Sequence, residues 1–105
     1  MSLFAVTREA GPGWAAGKGA FEQPAVNDHA AFMNALAAEG LVLFAGPVAA
    51  TEGDRIRVLL VADAESEADI HHRLAADPWE MSQQVVTTGV ESWNLVVGAE
   101  RLAAP

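Results

Sequence analysis

A histidine within an amphipathic helical segment and a distant Asp-Pro-Trp triplet are the features of this chain best suited to chemistry. His29 shares helical spacing with Val26, Met33 and Leu36, so we expect its ring to face an apolar interior. The triplet, Asp77-Pro78-Trp79, lies far along the chain. An imidazole titrates near neutrality, and a carboxylate beside it would fix its tautomer. The pair therefore predicts an acid–base site.

Each of these residues also has a purely structural interpretation. Asp77 followed by Pro78, with Glu80 at the third position, is typical of a helix start, so Asp77 could serve only as an N-cap. His29 could be a half-buried histidine whose ring is satisfied by a backbone carbonyl. Capping does not exclude catalysis, because a carboxylate held by backbone N–H groups is well placed to orient an imidazole.

The other polar motifs favour simpler roles. His71 and His72 are adjacent on a helix and point about 100° apart, so they cannot share one ligand and are expected at the surface. The chain has no cysteine and no H-E-x-x-H spacing, so we expect no metal and no cofactor. Gly11-Pro12-Gly13 lacks the Lys-Ser of a phosphate loop and predicts a plain turn.

Length and charge limit the possible classes of protein. The 105 residues form a single domain, 1–105. A net charge of −8 with only six Lys and Arg argues against nucleic acid and anionic membranes as partners. No apolar run approaches the ~20 residues of a membrane span, and the first residues do not resemble a signal peptide. A cytoplasmic protein is expected.

The order of predicted elements is β-α-β-β-α-β. The predicted elements are a strand at Leu3–Thr7, a helix ending at Gly40 with Pro24, Asn27 or Asp28 at its start, strands at Leu41–Ala45 and Ile56–Ala62, a helix at Glu65–Ala76, a short turn or helix at Asp77–Glu80, a strand at Val85–Val97 kinked at Gly89, and a frayed tail at 98–105. This α+β order is ferredoxin-like, with a four-stranded antiparallel sheet and both helices on one face.

The second face of that sheet needs a cover. Strands Leu41–Ala45 and Ile56–Ala62 are apolar on both sides, whereas a sheet with one wet face alternates apolar and polar residues. A second copy of the sheet is the simplest cover, so we predict a homodimer formed through the sheet faces. Arg55 with Arg57, and Ser92 with Asn94, indicate that part of this face is polar.

Several short motifs, taken in order, resemble the YCII-related family of small dimeric α+β barrel proteins. They span roughly Leu3 to Val97 and are Asp28-His29-Ala30-Ala31-Phe32-Met33 with Leu36 and Gly40, Leu43-Phe44-Ala45-Gly46-Pro47, Val58-Leu59-Leu60-Val61, Ile70-His71-His72-Arg73-Leu74-Ala75-Ala76-Asp77-Pro78-Trp79, and Trp93. The resemblance implies a dimeric α/β barrel and a histidine–aspartate site at His29 and Asp77. It also places the stretch Ala45–Pro47 along the pocket. The loop from Glu9 to Phe21, with Trp14, is longer than in the shortest members.

The expected function is a small cofactor-free enzyme of lyase, isomerase or dehydrochlorinase type, acting on a cyclic or aromatic metabolite. Barrels related to the family include muconolactone isomerase, and one branch is similar to a dehydrochlorinase of a chlorinated hydroquinone. His29 would move the proton and Asp77 would orient its ring. The expected substrate contacts are Phe32, Phe44, Gly46, Pro47, Trp79 and Trp93. The alternative is a dimeric protein that binds a small molecule without converting it.

Overall fold

The computed structural model describes residues 2–48 and 56–102, which form one antiparallel sheet covered on one face by helices. The strands are β1 (Leu3–Ala10), β2 (Val42–Pro47), β3 (Arg57–Asp63) and β4 (Val85–Ser92), and the helices are α1 (Val26–Glu39), α2 (Glu67–Leu74) and the short α3 (Pro78–Met81). Their order in the sheet is β2-β3-β1-β4, and all neighbours are antiparallel. The α+β, ferredoxin-like prediction is confirmed.

The main core lies between the sheet and the two longer helices. Val6 of β1 and Leu60 of β3 are paired across the sheet and buried, and they meet Leu36 of α1 and Ile70 and Leu74 of α2. Side chains alternate along a strand, so the neighbours of Val6 at positions 4, 8 and 10 share its face. The site described below lies against this face of the sheet, because Arg8 shares the face with Val6 and contacts Asp77.

Helix α1 ends as predicted and begins differently. Gly40 closes it with a φ of 89°, a left-handed conformation that glycine adopts without the steric cost of a Cβ. The N-cap is Ala25, with a φ of 60°, and neither Asn27 nor Asp28 caps the helix. Pro24 lies before the helix, and its carbonyl accepts hydrogen bonds from the Trp79 indole and the Gln84 amide, which fix how the chain enters α1.

The first loop is anchored tightly on the segment after α3. The backbone N–H of Gly11 donates to Gln84 and that of Gly13 to Gln83. A Cβ at Gly13 would lie 2.2 Å from the carbonyl oxygen of Ser82, so only glycine fits this approach. The turn at these glycines brings the buried Trp14 against the ring of Trp79.

The first and last strands differ from the prediction in opposite ways. β1 continues past Thr7 to Ala10, because it pairs with β4 from Phe4 to Ala10. β4 ends at Ser92 rather than at Val97, and the stretch expected to fray contains a short 3₁₀ helix at Ala99–Leu102. The expected kink near Gly89 is a bulge, in which the residue before that glycine is the extra one between two registers of pairing with β1.

The opposite face of the sheet is open only in part in this single chain, because Val61 is buried there whereas Leu59 is 41% exposed. Phe44 pairs with Val61, and Gly46 pairs with Leu59, on the side away from the helices. Phe44 is 54% exposed, and a hollow of about 210 Å³ lies beside Leu59. Arg57 adds polar character there, as predicted, whereas Arg55 lies outside the described residues.

Candidate active site at His29 and Asp77

The two residues singled out from the sequence meet. His29, on the first turn of α1, places its Nδ1 atom 2.9 Å from both carboxylate oxygens of Asp77. Asp77 is 0% exposed, whereas the His29 side chain keeps 20% of its surface exposed. Helix α1 turns its apolar stripe inward, since Leu36 and Met33 contact the main core and Val26 contacts the cluster around Trp79. The same stripe therefore brings His29 to Asp77.

Asp77 is also a helix cap, and this structural role is compatible with its contact with His29. It is the N-cap of α3, and its Oδ1 accepts a hydrogen bond from the backbone N–H of Trp79 at 3.0 Å, with Pro78 at the first helical position. Burial alone would raise the pKa of the carboxyl. The hydrogen bond from His29, the Trp79 N–H and the charge of Arg8 outweigh burial and hold the pKa of Asp77 below its ordinary value.

The charge of Asp77 decides which nitrogen of His29 is available to a ligand. An ionised carboxylate only accepts hydrogen bonds, so Nδ1 must carry a hydrogen and donate it. In the neutral ring the lone pair then lies on Nε2. Among the described residues, no protein atom makes a hydrogen bond with Nε2. The ring thus offers a proton acceptor on the side turned away from Asp77.

The indole ring of Trp79 packs against one face of the His29 imidazole. Its indole is stacked on the His29 imidazole, with 3.9 Å between ring centroids and 6° between planes. Its Nε1 donates to the carbonyl of Pro24 at 2.8 Å, and Trp14 packs edge-on against it at 5.6 Å. A stacked indole face stabilises a cation above it, so this contact favours the imidazolium that forms when His29 accepts a proton.

Arg8 and Glu80 are part of the site, and the sequence interpretation missed both. Arg8 of β1 is 2% exposed, and its Nη2 lies 2.9 Å from Asp77 Oδ2 and 2.8 Å from Glu80 Oε2. The hydroxyl of Thr87 on β4 donates to the same Glu80 oxygen. The available signal was the alternation of β1: Arg8 shares a face with Val6, and a charged residue on a core-facing register implies a buried partner.

The expected substrate contacts fall in three places. Trp79 is buried beside the pair of His29 and Asp77, called the dyad below, and Phe32 is partly buried against the main core. Phe44 and Gly46 lie on the opposite face of the sheet, away from His29 within one chain. Pro47 is exposed at the end of β2, and Trp93, which follows β4, is 42% exposed. Of this group, Trp79 stacks directly on the His29 ring.

The remaining polar features lie elsewhere. His71 and His72 are exposed on α2, and His71 is close to Glu67 one turn earlier. A hollow of about 660 Å³ opens at the far end of α1, beside Glu39 and Arg73. Within residues 2–48 and 56–102, no cluster of three or more His, Asp or Glu side chains could hold a metal ion. The described helices include none long and apolar enough to cross a membrane.

Comparison with known proteins now places the chain. It is similar in structure to 5-chloro-2-hydroxyhydroquinone dehydrochlorinase (TftG) from Burkholderia phenoliruptrix AC1100, solved in complex with 2,5-dihydroxybenzoquinone. The TM-score is 0.55 at 20% sequence identity, over 91% of this chain and 95% of that one, which is a likeness of fold. No curated protein sequence matches. The family model of the YCII-related domain matches residues 3–94, and the chain therefore belongs to the YCII-related family.

Proposed function

We propose that this protein is a small cofactor-free enzyme in which His29 acts as a general base and acid on a small cyclic or aromatic molecule. One observation carries the proposal: the buried carboxylate of Asp77 holds Nδ1 of His29, which leaves Nε2 as the acceptor. A base of this kind must face a ligand with its free nitrogen, and the exposed part of the His29 ring permits that.

The chemistry needs only a proton acceptor that can be restored. Nε2 takes a proton from a C–H or O–H group of the substrate, and the ring becomes an imidazolium. The charge of Asp77 and the indole face of Trp79 stabilise that cation. In an elimination of hydrogen chloride from a chlorinated hydroxylated ring, the proton taken from a hydroxyl group would pass to the carbon that bears chlorine, with formation of a C=O bond. Chloride would then leave with the electron pair of the carbon–chlorine bond as a second hydroxyl group loses its proton. In an isomerisation, the same proton would return to another atom of the substrate.

The similarity to TftG supports a class of substrate. TftG is a dehydrochlorinase of 5-chloro-2-hydroxyhydroquinone, and its solved structure contains 2,5-dihydroxybenzoquinone. Rings of this kind carry acidic hydroxyl groups, which a neutral imidazole can deprotonate near neutral pH. We therefore propose a hydroxylated ring as the substrate of this chain, with lyase, isomerase or dehydrochlorinase chemistry.

The test is turnover of such rings by wild-type protein and by two histidine variants. Release of chloride from 5-chloro-2-hydroxyhydroquinone is measured first, followed by absorbance changes with unchlorinated hydroxyquinols and unsaturated lactones. We expect His29→Gln to lower kcat/KM by about 10²–10⁴-fold, the usual value of a general base. His72→Gln, on the exposed face of α2, is the matched control and should retain full activity.

Two results would count against the enzyme. One is a folded His29→Gln protein that turns over a substrate of wild-type protein equally fast. The other is binding of 2,5-dihydroxybenzoquinone at His29, seen as shifts of amide resonances, with no conversion of any compound of the panel. That second result would instead favour the alternative function, a protein that binds a small molecule without converting it.

The open face of the sheet supports a homodimer as the working form of the enzyme. Phe44 and Leu59 are exposed there, and apolar side chains of this size are normally covered. A second copy of the sheet would cover them and would bring Phe44 and Gly46 to an enclosed interior. Sedimentation velocity should therefore give a dimer for wild-type protein, and a Leu59→Lys variant should sediment as a monomer.

A further inference from the structure

Arg8 is a buried cation on a face of β1 that is otherwise apolar. It lies on β1 between Val6 and Ala10, which are both buried and apolar and share its face of the sheet. A buried charge must be paired, and replacing buried ion pairs by apolar residues often leaves stability unchanged or improved. Packing alone therefore does not account for an arginine here.

The contacts of Arg8 lead to the dyad. Its Nη2 approaches Asp77 Oδ2, and this same oxygen lies 2.9 Å from Nδ1 of His29. The other oxygen, Oδ1, is held by the backbone N–H of Trp79. The carboxylate thus makes hydrogen bonds or ion pairs with groups on β1, α1 and α3. It cannot rotate without breaking one of these contacts.

Glu80 holds Arg8 in turn. Its Oε2 lies 2.8 Å from Nη2 and accepts the hydroxyl of Thr87, so the arginine is fixed between two carboxylates. The other terminal nitrogen, Nη1, faces the sulfur of Met33 at 3.7 Å, one helical turn after His29 on α1. The chain of contacts therefore runs from β4 through α3 and β1 to the imidazole.

The charges of this cluster balance only when His29 is protonated. Within the described residues, the charged side chains that β1, α1 and α3 direct into the cluster are Arg8, Asp77, Glu80 and His29. With a neutral imidazole, one positive charge faces two carboxylates. A proton on His29 makes the balance even. The cluster is therefore built to receive the proton that the proposed reaction transfers.

We infer that Arg8 is a positioning residue: held by Glu80, it supplies the counter-charge of Asp77 and keeps that carboxylate turned toward Nδ1 of His29. The inference rests on the proposed function, because that function is the reason why His29 must be held in one orientation. It acts through Asp77, and it requires no contact of Arg8 with substrate. Its consequences can be read from the two side chains themselves, without any substrate.

The test combines three variants with two NMR measurements. The ¹³C resonance of the Asp77 carboxyl gives its titration midpoint, and the ¹⁵N resonances of His29 give its tautomer. Arg8→Met should raise the midpoint of Asp77 and increase the fraction of rings with hydrogen on Nε2. Arg8→Lys, which keeps the charge, should restore most of both. Arg73→Met, which removes an arginine from an exposed pair with Glu39, is the matched control and should change neither.

A folded Arg8→Met protein with an unchanged midpoint and tautomer would overturn the inference. If that variant does not fold, Glu80→Gln decides, because its amide oxygen can still accept from Arg8 and Thr87 while one negative charge is lost. The midpoint of Asp77 should then fall, since Arg8 serves a single carboxylate. An unchanged midpoint in Glu80→Gln would equally contradict the role of Arg8.

These outcomes separate the two proposals. If both signals respond but no ring compound is converted, the role of Arg8 stands and the proposed function fails. If His29→Gln abolishes activity while neither signal responds to Arg8→Met, the function stands and the inference on Arg8 fails. Where activity is found, Arg8→Met should lower kcat with little change in KM, because the arginine does not touch the substrate.

Discussion

Two arginine–carboxylate contacts lie at opposite ends of helix α1, and they differ in burial far more than in distance. Arg73 of α2 reaches Glu39, at the last turn of α1, with 2.5 Å between Nη2 and Oε1, and both side chains are well exposed. Arg8 reaches Asp77 at 2.9 Å near the first turn, where both are buried. The shorter contact is the less consequential one, because water screens it and competes with it.

The difference shows what a buried ion pair is for. Exposed pairs of the Arg73 type form and break at little cost in free energy. The cluster around Arg8 requires several polar groups to leave water, and it lies where an imidazole is held in one orientation. The geometry of the site, more than the free energy of unfolding, is what the buried charges determine.

The strongest challenge to this comparison is to remove each arginine in turn. Arg8→Met removes the cation that lies between the fully buried Asp77 and the partly buried Glu80. We expect a loss of about 3–5 kcal/mol in the free energy of unfolding, measured by urea denaturation. Arg73→Met should leave the urea midpoint where it is. Equal losses in the two variants would show that burial does not distinguish the pairs.

Acid should weaken the buried cluster selectively. The pKa of Asp77 is lower in the folded protein than its ordinary value of 3.8, so the folded state binds fewer protons around this pH than the unfolded state. The contribution of Asp77 to stability is then full above that value and is lost as the pH falls through the folded pKa. The difference in unfolding free energy between wild type and Asp77→Asn should shrink on titration from about pH 6 to about pH 2. A constant difference would contradict the assignment.

A substitution in the first loop tests how much the packing of Trp14 against Trp79 contributes to stability. Gly13→Ala places a Cβ against the carbonyl of Ser82, so the loop must shift and carry Trp14 away from Trp79. We expect a loss of about 1–3 kcal/mol in unfolding free energy, the usual cost of overpacking. Gly19→Ala, at an exposed glycine of the same loop where a Cβ would meet nothing nearer than Glu22 Oε1 at 3.7 Å, is the control. A larger loss of unfolding free energy in the control than in Gly13→Ala would show that the close approach of the loop at Gly13 does not stabilise the protein.

Much of the candidate site could be predicted from local sequence patterns. The apolar stripe of α1 fixes which way His29 points, and the Asp-Pro-Trp triplet fixes a capped helix start at Asp77. Both signals are contained within a few residues. The meeting of the two segments was implied by the resemblance to the YCII-related family, and the ferredoxin-like order of elements, with both helices on one face of the sheet, is compatible with it.

What could not be predicted depends on pairing between distant strands. The apolar run of β1 weakens after Thr7, so the pattern predicts a strand that ends before Arg8, whereas pairing with β4 extends the strand to Ala10. The cap of α1 is Ala25 because contacts from Trp79 and Gln84 hold the preceding carbonyl, a tertiary effect that overrides local capping preference.

The bulge in β4 has a consequence for both halves of the molecule. Thr87 and Val90 are an odd number of positions apart, so in a regular strand they would point to opposite sides of the sheet. The inserted Thr88 resets this phase, and Val90 fills the hydrophobic interior while Thr87 still reaches Glu80. One additional residue thus allows the same strand to contribute Val90 to the hydrophobic core and Thr87 to the charged cluster. Deletion of Thr88 would turn one of these two side chains to the opposite face of the sheet.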